Sequence, residues 1–159
     1  MIKLITDSRT LSDLNNWADT LVKRIQVDMQ NNELNASGNL SNSLEYVITD
    51  ESDGTHIKVM ADPYFLYAEK GRKSGKVPYN FISILEEWIA DKGVFVPSKF
   101  RTAKQFAGAI YYNIKTYGSK RWRTDNPLDV VGDAVSEMLP KLNGILETSV
   151  VGYINDNLF

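Results

Sequence analysis

The sequence predicts an α+β fold that is mainly helical, with a small antiparallel β-hairpin sheet and a long C-terminal helix kinked near Pro140. Three observations lead there. Apolar residues recur at three- and four-residue steps in four separate stretches, one stretch near residue 50 instead alternates with period two, and residues that favour turns separate the two patterns. At 159 residues the chain is long enough to bury one domain's core. It divides into an N-terminal helix and linker (1–43), a hairpin (44–62), a basic helical middle (63–123) and a C-terminal helical segment (124–159).

The first helix is expected from about Thr10. Leu11, Leu14, Ala18, Leu21, Ile25 and Met29 share one face, and Thr10 with Asp13 reads as a capping-box start. The pattern dissolves in NNELNASGN, where Asn and Gly favour turns. In the hairpin, Leu44, Tyr46 and Ile48 face one way, as do Ile57, Val59 and Ala61 after a turn over Asp50–Gly54. Val94–Val96 is expected to add a short third strand, because two strands alone are marginal in water.

Tyr64–Lys70 reads as a short aromatic helix ended by Gly71. Phe81, Ile82, Ile84, Leu85, Trp88 and Ile89 trace the face of the next helix, stopped at Lys92-Gly93. A third long helix is expected from Ser98 or Thr102 to Tyr117, burying Phe106, Ala107, Ile110, Tyr111 and Ile114, with Thr102 and Gln105 as its capping box. Gly118–Pro127 is a polar, basic connection. Asn126, Pro127 and Asp129 read as the N-cap and first turn of the last helix, which carries Val131, Val135, Met138 and Leu142 and which Pro140 should kink or divide.

Composition closes several doors. Hydrophobic residues are 43% and charged residues 24%, ordinary soluble usage, and nothing approaches the roughly 18 apolar residues in a row of a membrane span. The opening MIKLITDSRT, with Asp7, lacks the long apolar run of a secretory signal. With no cysteine there are no disulfides, thiolate sites or cysteine nucleophiles. His56 is the single histidine, so a closed zinc site is not expected, and no GxSxG nucleophile elbow accompanies it. The loop Gly71–Lys76 resembles a phosphate-binding loop but is one residue short between its glycines, with Val77 where the magnesium-binding hydroxyl belongs. Asp50, Glu51 and Asp53 lack the terminal Glu of a calcium loop, and Glu86 and Glu87 diverge by about 100° on their helix. No catalytic residue, metal or cofactor is therefore expected.

Charge is distributed unevenly within the net −2. Residues 1–60 hold five Lys and Arg against nine Asp and Glu, residues 61–123 twelve against five, and residues 124–159 one against six. A basic middle between acidic ends suits either a polyanion-facing surface or contact between copies of the chain. Two aromatic and basic clusters stand out: Tyr64, Phe65, Tyr67, Lys70, Arg72, Lys73 and Lys76, then Lys115, Lys120, Arg121, Trp122 and Arg123. This composition marks both protein–protein hot spots and nucleic-acid platforms. The alternative is that the aromatic residues are core and the basic ones solvated.

The order of these segments resembles the head–tail connector, neck and tail-completion proteins of tailed double-stranded DNA phages. The likeness rests on Ser37, Gly38, Leu40 and Ser43 before the hairpin, and on Tyr64, Tyr67, Glu69 and Gly71 after it. The stretches GRKSGKVP and WIADKG are similar to forms in phages of Bacteroides-type hosts, including the crAss-like group. It spans most of residues 10–140; at the C-terminus a longer acidic helix replaces a brief strand ending. The resemblance implies a virion structural protein, not an enzyme, made in the bacterial host cytoplasm and placed at the head–tail junction. Its partners would be copies of itself in a six- or twelve-fold ring, the portal and other neck or tail proteins, and transiently the packaged DNA, with no membrane. The contact residues expected for such a subunit, taken from the two clusters and the motif, are Tyr64, Tyr67, Glu69, Arg72, Lys73, Lys76, Arg121, Trp122 and Arg123. The alternative is a DNA-binding or packaging-associated protein using the basic middle.

Overall fold

Amphipathic spacing and one hairpin account for most of what the computed structural model contains. It describes residues 8–34 and 37–158; the reading of the first residues, with Asp7, lies outside them. The order is α1 (Ser8–Asn31), α2 (Asn39–Asn42), β1 (Glu45–Glu51), β2 (Gly54–Met60), α3 (Phe65–Lys70), α4 (Phe81–Asp91), α5 (Ala103–Tyr117), α6 (Lys120–Arg123) and α7 (Val130–Leu158). The fold is α+β and mainly helical, with a two-stranded antiparallel sheet. The chain packs as two units: Met1–Asn32, Ser43–Ala61 and Val130–Phe159 form the first, and Glu33–Asn42 with Asp62–Asp129 the second.

In the first unit α1 packs against α7, and β1 lies on α1. The stripe of α1 buries Leu14, Trp17, Ala18, Leu21, Val22, Ile25 and Met29. Each large apolar side chain here contributes roughly 1.5–3 kcal/mol by leaving water. Leu11 is exposed instead, and Trp17 takes the inner position. Thr10 is not a cap: it lies inside the helix, buried, with its hydroxyl 2.8 Å from that of Ser149 on α7. The Trp17 indole donates to the Met138 carbonyl at 3.0 Å, and Arg24 bridges Asp28 and Glu137, each at 2.9 Å.

Asn126 and Pro127 do not start α7, which begins at Val130; the Asn126 N–H instead bonds the Arg121 carbonyl. Pro140 does not divide the helix either. Bonds to α1 flank it, Trp17 to Met138 on one side and Thr10 to Ser149 on the other, and these tie both halves to one neighbour.

Hairpin register pairs Tyr46 with Val59 and Ile48 with Ile57, the apolar face expected, and Glu51 with Gly54, so the turn is only Ser52-Asp53. Gly54 sits at φ 146°, which favours glycine.

The second unit centres on Val77, Phe81, Leu85, Ile89 and Ala107, where α4 meets α5. Val94 and Val96 form no strand; both are half-buried against this core, and their backbone continues as loop. On α4 the buried face is narrower than the spacing suggested, since Ile84 and Trp88 are exposed. The cap of α5 is as expected, with Thr102 Oγ1 accepting from the Gln105 N–H; the Gln105 side chain reaches back to the Arg101 N–H. Residues 39–42, read as linker, make the one-turn helix α2 with Leu40 and Ser41 buried.

Candidate interaction site

All nine residues singled out as contacts fall in the second unit, and its backbone explains how two distant clusters become neighbours. The Arg72 N–H donates to Ser119 Oγ at 2.9 Å, and the Ser119 N–H donates to the Arg72 carbonyl at 2.8 Å. Ser119 Oγ also accepts from the Trp122 N–H, capping α6. Further along, the Gly75 N–H bonds the Lys115 carbonyl at 2.9 Å. The loop after α3 is thus laid along the end of α5 and the start of α6.

Two glycines permit this closeness. Gly71 (φ 79°, ψ 171°) and Gly118 (φ 82°, ψ 169°) occupy a region essentially reserved for glycine. A Cβ on Gly71 would lie 2.6 Å from the Trp122 nitrogen, and one on Gly118 would lie 3.0 Å from the Arg72 carbonyl oxygen. The sequence signal for the crossing was present but short: a Gly, then a Ser before KRWR, which is a helix stop followed by an N-cap.

The side chains divide by role. Glu69 is only 4% exposed and its carbonyl accepts from the Leu128 N–H, so this residue lies behind the surface. The Arg72 guanidinium sits 4.5 Å from the Tyr67 ring centre and 5.2 Å from that of Phe81, a cation held between two aromatic faces. Loss of water pushes the Tyr64 hydroxyl above its ordinary value, and the nearby Arg72 charge partly opposes this. Lys73, Lys76 and Arg123 are exposed, and Trp122 is 46% exposed. Arg121 Nη1 is buried without a hydrogen-bond partner, a costly state for a cation.

A groove of about 590 Å³ opens beside this crossing, lined by Gly75, Lys76, Val77, Tyr112, Lys115 and Thr116. The Tyr111 hydroxyl donates to the Val77 carbonyl at 3.0 Å and so fixes its floor. Tyr112 on the rim is 67% exposed, and Lys76 and Lys115 give the groove its charge. Tyr112 was missed in the sequence because its position on the helix carries no polar signature.

One further cluster lies in the first unit, at the hairpin tip. Glu51, Asp53 and His56 bring ligand-type atoms within 4.8 Å of one another. They already bind each other and a lysine. His56 Nε2 is 2.9 Å from Asp53 Oδ1, Lys58 pairs with Glu51, and Thr55 donates to Asp50. The His56 bond holds the Asp53 carboxyl below its usual range, and the Lys58 bond does the same for Glu51. A metal ion here would have to displace Lys58 and break the His56–Asp53 bond.

Charge sorts by unit. The second holds twelve Lys and Arg against eight Asp and Glu, net +4; the first holds six against twelve, net −6. Among the described residues no helix is long and apolar enough to cross a membrane. No protein-family model, curated protein or solved structure matches the chain.

Proposed function

We propose that this chain is a structural subunit of a tailed-phage virion, one member of a multimeric ring at the portal–tail junction that joins head to tail around the DNA channel. Support comes from the resemblance carried by Tyr64, Tyr67, Glu69 and Gly71 and by GRKSGKVP. The observation that carries most weight is the sorting of charge between the units, net +4 against net −6, with aromatic residues exposed on the basic one. A subunit that contacts its neighbour through two different patches needs such complementary faces. Mass spectrometry of purified virions tests the reading: the chain is expected at a fixed, ring-like copy number, and absence from particles rejects it.

The lysine-lined groove favours a second reading, contact with the phosphate backbone of DNA. Duplex binding by the isolated protein that falls steeply with salt, and that weakens when Arg72, Lys73, Arg121 and Arg123 are neutralised, would support it.

A further inference from the structure

The two lysines of the groove, Lys76 and Lys115, call for an anionic partner. They lie in a chain whose other unit is acidic. We propose that the acidic tip of the β1–β2 hairpin of one copy seats on the Lys76–Lys115 groove of the next copy. This rests on the ring reading above and gives that ring its subunit contact.

The tip fits the groove in charge and in form. Glu51 precedes the two-residue turn and Asp53 lies in it, their carboxylate oxygens are within 4.8 Å of one another, and the groove offers two lysines. Within the hairpin Glu51 accepts from Lys58 and Thr49, and Asp53 bonds His56; an ionised carboxylate offers about four acceptor sites, so each keeps room for a lysine. Those internal bonds also hold both groups ionised. Tyr112, exposed on the rim, offers an aromatic face beside the pairs.

A second copy suits the groove better than nucleic acid. The chain as a whole is net −2 and offers a duplex no net attraction, whereas among identical copies the basic unit of one can meet the acidic unit of another. Tip and groove are different patches, so the contact is heterologous and propagates from copy to copy until rotation closes it.

Charge reversal with complementation is the test. Lys76→Glu with Lys115→Glu keeps a native tip, and Glu51→Lys with Asp53→Lys keeps a native groove; by sedimentation each pair is expected to weaken self-association about tenfold or more. Mixed together, the two variants are expected to recover self-association as alternating copies, because the native tip meets the native groove and the lysine tip meets the glutamate groove. The absence of cysteine allows a second measurement that works even when association is weak. An Asp53→Cys copy is mixed under oxidising conditions with a ¹⁵N-labelled Lys115→Cys copy, and the mixed disulfide is counted by mass spectrometry. An Asn143→Cys copy replaces the groove variant as control. Trapping above the control upholds the contact. Trapping no higher than the control overturns it, as does salt-sensitive duplex DNA binding that the groove variant loses while tip reversal leaves self-association unchanged. Virion copy number is read independently: a ring-like count without trapping rejects this contact and leaves the ring, whereas absence from virions rejects the ring itself.

Discussion

Arg72 and Ser119, 47 residues apart, exchange two hydrogen bonds: Ser119 Oγ accepts the Arg72 N–H and the Arg72 carbonyl accepts the Ser119 N–H. The exchange joins the Gly71–Lys76 loop to the polar, basic connection after α5, and it brings the two basic clusters together.

Ser119→Ala removes the acceptor of both the Arg72 and Trp122 N–H groups, and about 1–2 kcal/mol of stability should go with it. Gly71→Ala should cost more, since it adds backbone strain of about 1–3 kcal/mol to the contact with Trp122. Urea unfolding followed by Trp fluorescence measures both, and Gly108→Ala, where a Cβ meets open space, is the control.

Trp17→Phe keeps most of the packing between α1 and α7 but removes the indole bond to the Met138 carbonyl. A loss of about 1 kcal/mol is expected, against about 3–5 kcal/mol for Trp17→Ala. Thermal melts of the two variants should therefore differ clearly; a Trp17→Phe melting temperature equal to that of the native protein would show that the bond contributes nothing.

Arg72→Met preserves the length of the side chain between Tyr67 and Phe81 and removes its charge, at a cost of about 0.5–2 kcal/mol. Arg72→Lys should recover only part of this, because an ammonium lacks the planar face that stacks on both rings. Chemical denaturation of the three proteins in parallel orders them.

At the hairpin tip, His56→Ala should let the Asp53 carboxyl rise back toward its ordinary range, read by NMR titration of its side-chain carbon. In the native protein the folded value lies below the unfolded one. The bond therefore adds stability above the ordinary carboxylate range and loses it as the pH falls through the depressed folded value. The group is fully exposed, so the test is the titration midpoint rather than the melting temperature.

The helices were legible because spacing alone reports a buried face: Leu14, Ala18, Leu21 and Ile25 on α1, and Ala107 on α5 with Phe106 and Ile114 beside it. Spacing does not report where a stripe ends, which is why Leu11, Ile84 and Trp88 proved exposed and Trp17 buried. Caps were read well where a hydroxyl preceded a Gln, at Thr102, and poorly where tertiary partners take over, at Thr10. The candidate surface was legible as composition only. That residues 71–75 would lie along residues 115–122 depends on two glycine conformations and one serine hydroxyl, none of which leaves a periodic trace. Likewise, His56 stands five residues from Glu51 in sequence, and only the two-residue turn brings them together.

The pairing of α1 with α7 also sets a schedule for synthesis. Nearly a hundred residues separate the end of α1 at Asn31 from the start of α7 at Val130. At ribosomal speeds of about 5–20 residues per second, that interval lasts roughly 5–20 s. Throughout it the apolar stripe of α1, with Trp17, Leu21, Ile25 and Met29, has been made and the helix that covers it has not. Nascent chains stalled before residue 130 should therefore recruit chaperones through that stripe, and release it once α7 has emerged.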